Sequence, residues 1–448
     1  MEKIAGATES LARFAVTTGL EEIPTTVTEA AKLLILDTLG VTLAGSRDGA
    51  CRVFSQWVRN QEALPLATVM GQGFRTHPLL AALANGHAAH ALDLDEGKHL
   101  SALTLPAALA LGEPDHLSGA KILRAVIVGY EVGSRLDAAF DGARKQERGP
   151  TYRGWHHTGT NGSLAAAVTA GVILGLTVPQ MRFALGIAAN GASGLRANMG
   201  TMAKALVAGN AARNGVMAAT LAQRGFTAEE AILEAPQGIA DAFCLEGEID
   251  WGVLSRDLGK RYSLEGGPAT KEFPCCTPAH RPIEAFLKLV REHGMKAEEV
   301  DRIECDPHAF SLRRHEALDA QAGQYSLEYC LAVALLDGKM GLDQMTDERV
   351  RAPDVQALMR RLQIVPLRDV PSRRDAKERL TVYLRNGRSL TAEVDRPRRL
   401  STRKEIETKF FDCAPRAIST EAATRIHHAV LDLENIGDIA IVLENTCG

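Results

Sequence analysis

The chain has 448 residues, 46% hydrophobic and 24% charged, the profile of a folded protein with two or three cores rather than a disordered one. A formal net charge of −4 gives no general attraction to nucleic acid or to an anionic membrane. With 5% aromatic residues there is little to stack bases on, and 8 cysteines without a CxxC pair are neither a disulfide framework nor a cluster site.

The start, Met1-Glu2-Lys3-Ile4-Ala5-Gly6, lacks the basic residues and apolar run of a signal peptide, so a cytoplasmic setting is expected. Pro24-Thr25-Thr26-Val27-Thr28-Glu29 opens a helix that residues 30–41 continue with apolar side chains at helical spacing. Helical patterns follow over residues 79–92, 119–136, 162–176, 178–191 and 205–224. Many are rich in Ala and Gly, which lets backbones approach closely. Residues 164–176 are the most apolar stretch but are too few to cross a bilayer, and they read as a buried helix.

The texture changes near Gly266. Gly266-Gly267-Pro268 and Phe273-Pro274 break the helical pattern, and residues 300–305 alternate as a half-buried strand does. Residues 380–384 and 389–394 alternate as well, with Asn386-Gly387 between them as a hairpin signal. Helical patterns return over 404–411 and 420–433. The expected fold is mainly α with an inserted α+β domain: residues 1–265 with 399–448 form a large helical domain, and 266–398 form a smaller lid-like one.

Chemistry-bearing residues gather in four places. Asn85 to His99 holds Asp93, Asp95 and His99 after an apolar helix. Such residues serve as turn and packing groups, as acid–base groups, or as a metal site. Gly154-Trp155-His156-His157-Thr158 sets paired histidines at a helix mouth, where they suit proton transfer or anion binding; one of the two should face a site. Gly194 to Lys204 supplies Arg196 and Lys204, either solvated charge or carboxylate partners, and Arg213 follows. Lys271 to Pro282 adds His280 and Arg281, and Tyr325-Ser326-Leu327-Glu328-Tyr329 precedes an apolar run. Cys275 reads as structural rather than nucleophilic. No GxGxxG in a βαβ setting, no GxxxxGK[ST] and no HExxH is present, so no cofactor is expected. Acids, histidines and cations in this mix fit proton abstraction next to a carboxylate, in dehydration, epimerisation or decarboxylation of a small polyacid.

Together these blocks resemble the MmgE/PrpD family. The resemblance rests on Leu36-Asp37-Thr38-Leu39-Gly40-Val41, the segment from Asn85 to Asp95, Gly154-Trp155-His156, Gly200-Thr201-Met202-Ala203-Lys204, Gly209 to Gly215, Ala334-Leu335-Leu336-Asp337-Gly338 and Lys404 to Phe410. It implies a helical domain with a lid, a homodimer, and a cofactor-free site between the domains for a small polycarboxylate. It carries catalytic roles to Asp93, His99, His156, Lys204 and Tyr329. His280 matches a family histidine, and it is grouped with Arg196 and Arg281 as a substrate-binding residue. The chain departs from the family pattern at Glu96-Gly97-Lys98-His99, a shorter loop without the usual Thr, and at Val207, where a His is usual. A smaller or less polar site is expected from those changes. The expected reaction is dehydration of a 2-methylcitrate-like hydroxy acid. Decarboxylation, epimerisation and non-catalytic carboxylate binding are the alternatives.

Overall fold

A computed structural model describes residues 6–140, 150, 153–245, 248–305, 316–362, 364–366, 378–394 and 398–447. The helical part opens with α1 (Ala7–Thr17), α2 (Thr25–Gly45) and α3 (Gly49–Arg59), then a short hairpin of β1 (Ala67–Val69) and β2 (Phe74–Thr76). It continues through α4 (Pro78–Ala91), α5 (Ser101–Gly112), α6 (Gly119–Phe140), α7 (His157–Leu174), α8 (Val178–Asn190), α9 (Leu206–Gln223), and the short α10 (Ile239–Phe243) and α11 (Gly252–Ser255). The chain returns to it at the end as α17 (Arg403–Cys413), α18 (Thr420–Leu431) and α19 (Ala440–Glu444).

Between these lies a smaller unit. It contains α12 (Thr277–His293), β3 (Val300–Cys305), α13 (Ala320–Gly323), α14 (Leu327–Asp337), α15 (Asp347–Arg351), α16 (Pro353–Arg361), β4 (Ile364–Pro366), β5 (Glu378–Leu384) and β6 (Ser389–Val394). The sheet order is β4-β3-β5-β6, with β3 parallel to β4 and antiparallel to β5. The β5–β6 hairpin turns at Asn386-Gly387, where Gly387 adopts φ 85° and Leu384 N donates to Arg388 O at 2.8 Å.

Two apolar cores follow this division. One joins buried residues from Ala7 to Leu264 with Leu400 to Leu443, and the other runs from Phe273 to Ala392. The fold is mainly α with a small α+β part. No helix among the described residues is long and apolar enough to cross a membrane, and the apolar α7 is buried along nearly its whole length.

Close helix packing positions the site. A Cβ on Gly86 of α4 would lie 2.9 Å from Gly209 Cα of α9, and one on Gly209 would lie 2.3 Å from Leu83 O. Two glycines thus let α4 and α9 touch backbone to backbone. That contact brings the loop after α4, which carries Asp93, against the turn before α9, which carries Lys204.

The smaller unit joins the helical part through two neighbouring passes of chain. Thr270 and Leu400 exchange backbone hydrogen bonds of 2.9 and 3.0 Å, and Thr270 also bridges to Glu96. Gln324 of the lid donates its side-chain N–H to Ala91 O at 2.9 Å, at the end of α4. The connections between domains therefore run directly beside the Asp93–His99 loop.

Candidate active site

The loop after α4 is held by its own side chains. Asp93 and His99 adopt φ 49° and 65°, which β-carbon-bearing residues disfavour by about 1–3 kcal/mol. Glu96 turns its carboxyl onto the start of α5, accepting from Lys98 N at 2.6 Å, Leu100 N at 2.5 Å and Ser101 N at 3.2 Å. Burial pushes Glu96 up to about 7. From beneath, Lys409 of α17 donates to Leu94 O at 2.7 Å and lies 2.7 Å from the buried Asp37 of α2.

Two carboxylates project from this loop into different company. Asp93 receives the Lys204 ammonium on Oδ1 and lies 3.0 Å from Lys271 Nζ through Oδ2. Lys271 also donates to the Asp93 carbonyl at 2.9 Å. Burial alone would push Asp93 up, but the two ammonium groups outweigh it and hold the carboxyl well below its usual range. Asp95 is shared by two imidazoles, at 2.8 Å from His99 Nδ1 and 3.1 Å from His90 Nδ1. Here burial is outweighed by His99 and His90, and Asp95 is again held well below its usual range. Burial lowers His90 to about 3 and His99 to about 4, so both are neutral at neutral pH.

The histidine pair at the mouth of α7 completes the cluster. The His156 ring centroid is 6.2 Å from that of His90, and His157 is 6.0 Å from His99. Both rings therefore neighbour the cluster, against the expectation that only one would. The reason is local. His156 is extended at the N-cap (φ −101°, ψ 112°) and His157 is the first helical residue, so their rings stack at 17° and 5.4 Å. His156 is buried, its Nδ1 has no hydrogen-bond partner, and burial holds it well below its ordinary value.

The lid supplies a second wall. Tyr325, buried just before α14, has its ring centroid 6.0 Å from Lys204 Nζ. Burial and the Asp93 charge push its hydroxyl well above its ordinary value. Tyr329, expected in the site, lies away from the Asp93–Lys204 cluster. One turn further on, its hydroxyl donates to the Gln344 carbonyl and its ring packs in the lid core beside Gly323. Tyr325 precedes the Ser326 cap and lies beside Lys204, whereas Tyr329 has already turned inward with α14.

His280 is buried on α12. Its Nε2 donates to Cys275 O at 3.1 Å and its Nδ1 has no partner, while burial and the Lys271 charge hold it well below its ordinary value. Arg196, half-buried on the turn before Lys204, acts electrostatically on Tyr325. Arg281 follows His280 on α12 and is half-buried. Val207 is buried. Its Cγ2 occupies the space beside Gly159 and Gly194, where their missing β-carbons leave room, behind the His156 turn.

Lys271 and Arg399, both on the connections between domains, carry no recognisable motif. Charged residues in a Gly- and Pro-rich linker read as solvent-facing. The only available signal was Lys271 standing two residues before Phe273-Pro274. Arg399 places its guanidinium beside Gly97, with Nη2 donating to Thr277 Oγ1 at 3.2 Å.

The ligand atoms of His90, Asp93, Asp95 and His99 lie within 4.8 Å of one another, close enough for a metal. The fit is poor. Lys204 and Lys271 already neutralise Asp93, and Lys204 Nζ is 3.4 Å from His90 Nδ1, so a cation there would sit against two ammonium groups.

The MmgE/PrpD N-terminal domain model matches residues 9–252, and the C-terminal domain model matches residues 273–435. The chain belongs to the MmgE/PrpD family. It is 28% identical to a cis-aconitate decarboxylase of Aspergillus terreus over 98% of this chain and 96% of that one. It is 27% identical to cis-aconitate decarboxylase of Homo sapiens over 93% of this chain and 89% of that one. Similarity to the Mus musculus enzyme of the same name is 26% over 92% and 87%. The family's C-terminal model continues past the lid into α17 and α18, which pack on α2.

Proposed function

We propose that this chain is a lyase acting on a small tricarboxylate, with decarboxylation of cis-aconitate or a close analogue as its reaction. One observation carries the reading: a buried cluster where Lys204 and Lys271 meet a set of neutral imidazoles beside the Thr270–Leu400 pairing. Similarity to cis-aconitate decarboxylases over nearly the whole chain supports the choice of reaction.

The chemistry follows from the groups present. When a carboxylate leaves as carbon dioxide, its bonding electron pair stays on carbon and must be spread and protonated. Cations beside the remaining carboxylates stabilise that charge. Lys204, held on Asp93 at the centre of the site, gives the proton that the carbon takes and recovers one from solvent once the product has left, while the neutral His90 lies 3.4 Å from its Nζ. Asp95 orients His90 and His99 through their Nδ1 atoms. His156 presents its free Nδ1 as a further acceptor or donor.

Dehydration of a 2-methylcitrate-like hydroxy acid is the second reading. Its support is the Asp95–His99 pair, an oriented imidazole able to pass a proton to a leaving hydroxyl. Proton NMR of the purified protein in D2O separates the two, with cis-aconitate, 2-methylcitrate, citrate and iminodisuccinate as the panel. Deuterium incorporation with loss of one carboxylate marks decarboxylation, and a new vinyl signal from a hydroxy acid marks dehydration. His156→Ala and Lys204→Ala are each expected to abolish turnover without unfolding the protein. Full activity in both variants would sink the site assignment.

A further inference from the structure

We propose that Arg399 is a substrate-binding, specificity-determining residue that receives one carboxylate of the ligand as the lid rejoins the helical domain. The proposal rests on the tricarboxylate reading above and adds to it the residue that counts the carboxylates.

Arg399 stands on the returning connection, next to Leu400, whose backbone pairs with Thr270 on the outgoing one. Its Nη1 is buried and has no hydrogen-bond partner. Its Nη2 reaches only the Thr277 hydroxyl. No carboxylate among the described residues lies within 4.0 Å of it. The two acids that act on it most are already engaged: Glu96 on the backbone N–H groups that start α5, and Asp93 on Lys204 and Lys271. A guanidinium cannot shed its proton to escape burial, so it requires an anion.

The surroundings suit a carboxylate. Thr277 is the first residue of α12, whose start carries a partial positive charge. The planar fork of Arg matches a carboxylate through two parallel hydrogen bonds. Space is left on the other side by Gly97, where a Cβ would lie 3.4 Å from Nη2 and 3.5 Å from Cζ. A Cβ at position 97 would sit in ordinary contact with the guanidinium, so a short side chain there reaches it. The short Glu96-Gly97-Lys98 loop and Arg399 therefore fit each other.

The test uses calorimetric titration of the full chain with three probes. Tricarballylate carries three carboxylates, glutarate lacks the central one, and ethylsuccinate lacks a terminal one. Arg399→Gln is expected to weaken tricarballylate binding by about tenfold to hundredfold, the worth of a charged hydrogen-bonded contact. One of the two dicarboxylates, the one missing the carboxylate that Arg399 holds, should bind the variant as it binds the wild type. Arg399→Lys should fall between. Gly97→Asp, which supplies an internal carboxylate to the same guanidinium, should raise the melting temperature of the free protein and weaken tricarballylate. Unchanged tricarballylate binding in Arg399→Gln, or an equal loss for all three probes, would overturn the proposal while leaving the tricarboxylate reading intact. Failure of the wild type to bind tricarballylate, citrate or cis-aconitate would overturn both.

Discussion

Asp93 and Asp95 stand two residues apart on one loop and are equally buried, yet they face opposite partners. Asp93 is paired with the ammonium groups of Lys204 and Lys271, whereas Asp95 is shared by two imidazoles that stay neutral. In an extended chain residues two apart share a face, and the left-handed turn at Asp93 breaks that pattern, so the two carboxyls meet different partners. The first carboxylate fixes charge and the second fixes the orientation of rings. A buried site can thus hold cations ready for an anionic substrate and still keep unprotonated imidazoles beside them, because each carboxylate serves one task.

Asp93→Asn should show the largest effect. It leaves Lys204 and Lys271 side by side without a counter-charge, and breaking a buried pair from one side costs about 3–5 kcal/mol. Turnover should drop by about 10³-fold or more. Urea unfolding and a steady-state assay check both numbers. A variant of wild-type stability would show that the lysines are solvated and that the Asp93 node is not the charge-fixing one.

Asp95→Asn should cost less. The amide keeps the shape and one acceptor oxygen, so stability should fall by about 1–3 kcal/mol. The imidazoles lose their fixed tautomer, and turnover should fall by about 10²-fold. Expected, too, is a change in the Nδ1 proton signals of His90 and His99 without a change at Lys204. A larger stability loss than in Asp93→Asn would reverse the comparison.

Much of this arrangement was legible in the residue pattern, and the reasons are physical. The long helices announced themselves through apolar spacing, and the β5–β6 hairpin through Asn386-Gly387. The blocks carrying Asp93, His99, His156 and Lys204 could be picked out because each lies at a glycine-marked turn beside a helix end. Tyr325 and Tyr329 differ in the sequence only by which side of the Ser326 cap they occupy, and which of them lies beside Lys204 is settled by packing. The paired behaviour of His156 and His157 depends on one extended residue before α7. Lys271 and Arg399 were hidden for another reason. They come from separate linkers that meet only through the Thr270–Leu400 pairing, a contact between residues 130 positions apart.

Acid titration sharpens the comparison further. Burial lowers His87 and His99 to about 4 and His90 to about 3, below the ordinary 6.5. The unfolded chain takes up these protons first, so the stability they contribute is present above pH 6.5 and is lost as pH falls towards 4. Glu96 has the opposite sign. Raised to about 7, it favours folding below its ordinary 4.5 and loses that contribution as pH rises towards 7. Stability should therefore fall on acidification with a slope that Glu96 partly cancels. Glu96→Gln should steepen the slope between pH 4.5 and 6.5 by about 1.4 kcal/mol per pH unit, one proton's worth. A slope unchanged in that variant would mean that Glu96 stays ionised on the α5 backbone throughout.

The smallest expected effect is the most discriminating for the Asp93 node. His90, Asp93, Asp95 and His99 lie close enough together to bind a divalent ion, and a metal-dependent enzyme built on them would lose its activity to a chelator. In this site the cationic role at Asp93 already belongs to Lys204 and Lys271. Turnover after prolonged treatment with EDTA should remain within about twofold of the untreated enzyme, and added zinc or magnesium should not raise it. The contrast extends to the variants. Removing Lys204 and Lys271 together would leave both carboxylates beside His90 and His99 without ammonium groups, the very arrangement that attracts a metal. That double variant should bind zinc where the wild type does not, and calorimetric titration with the ion alone reads the difference directly. Zinc binding of equal strength in both proteins would show that the lysines do not occupy the charge position, and the distinction between the two carboxylates would fall with it.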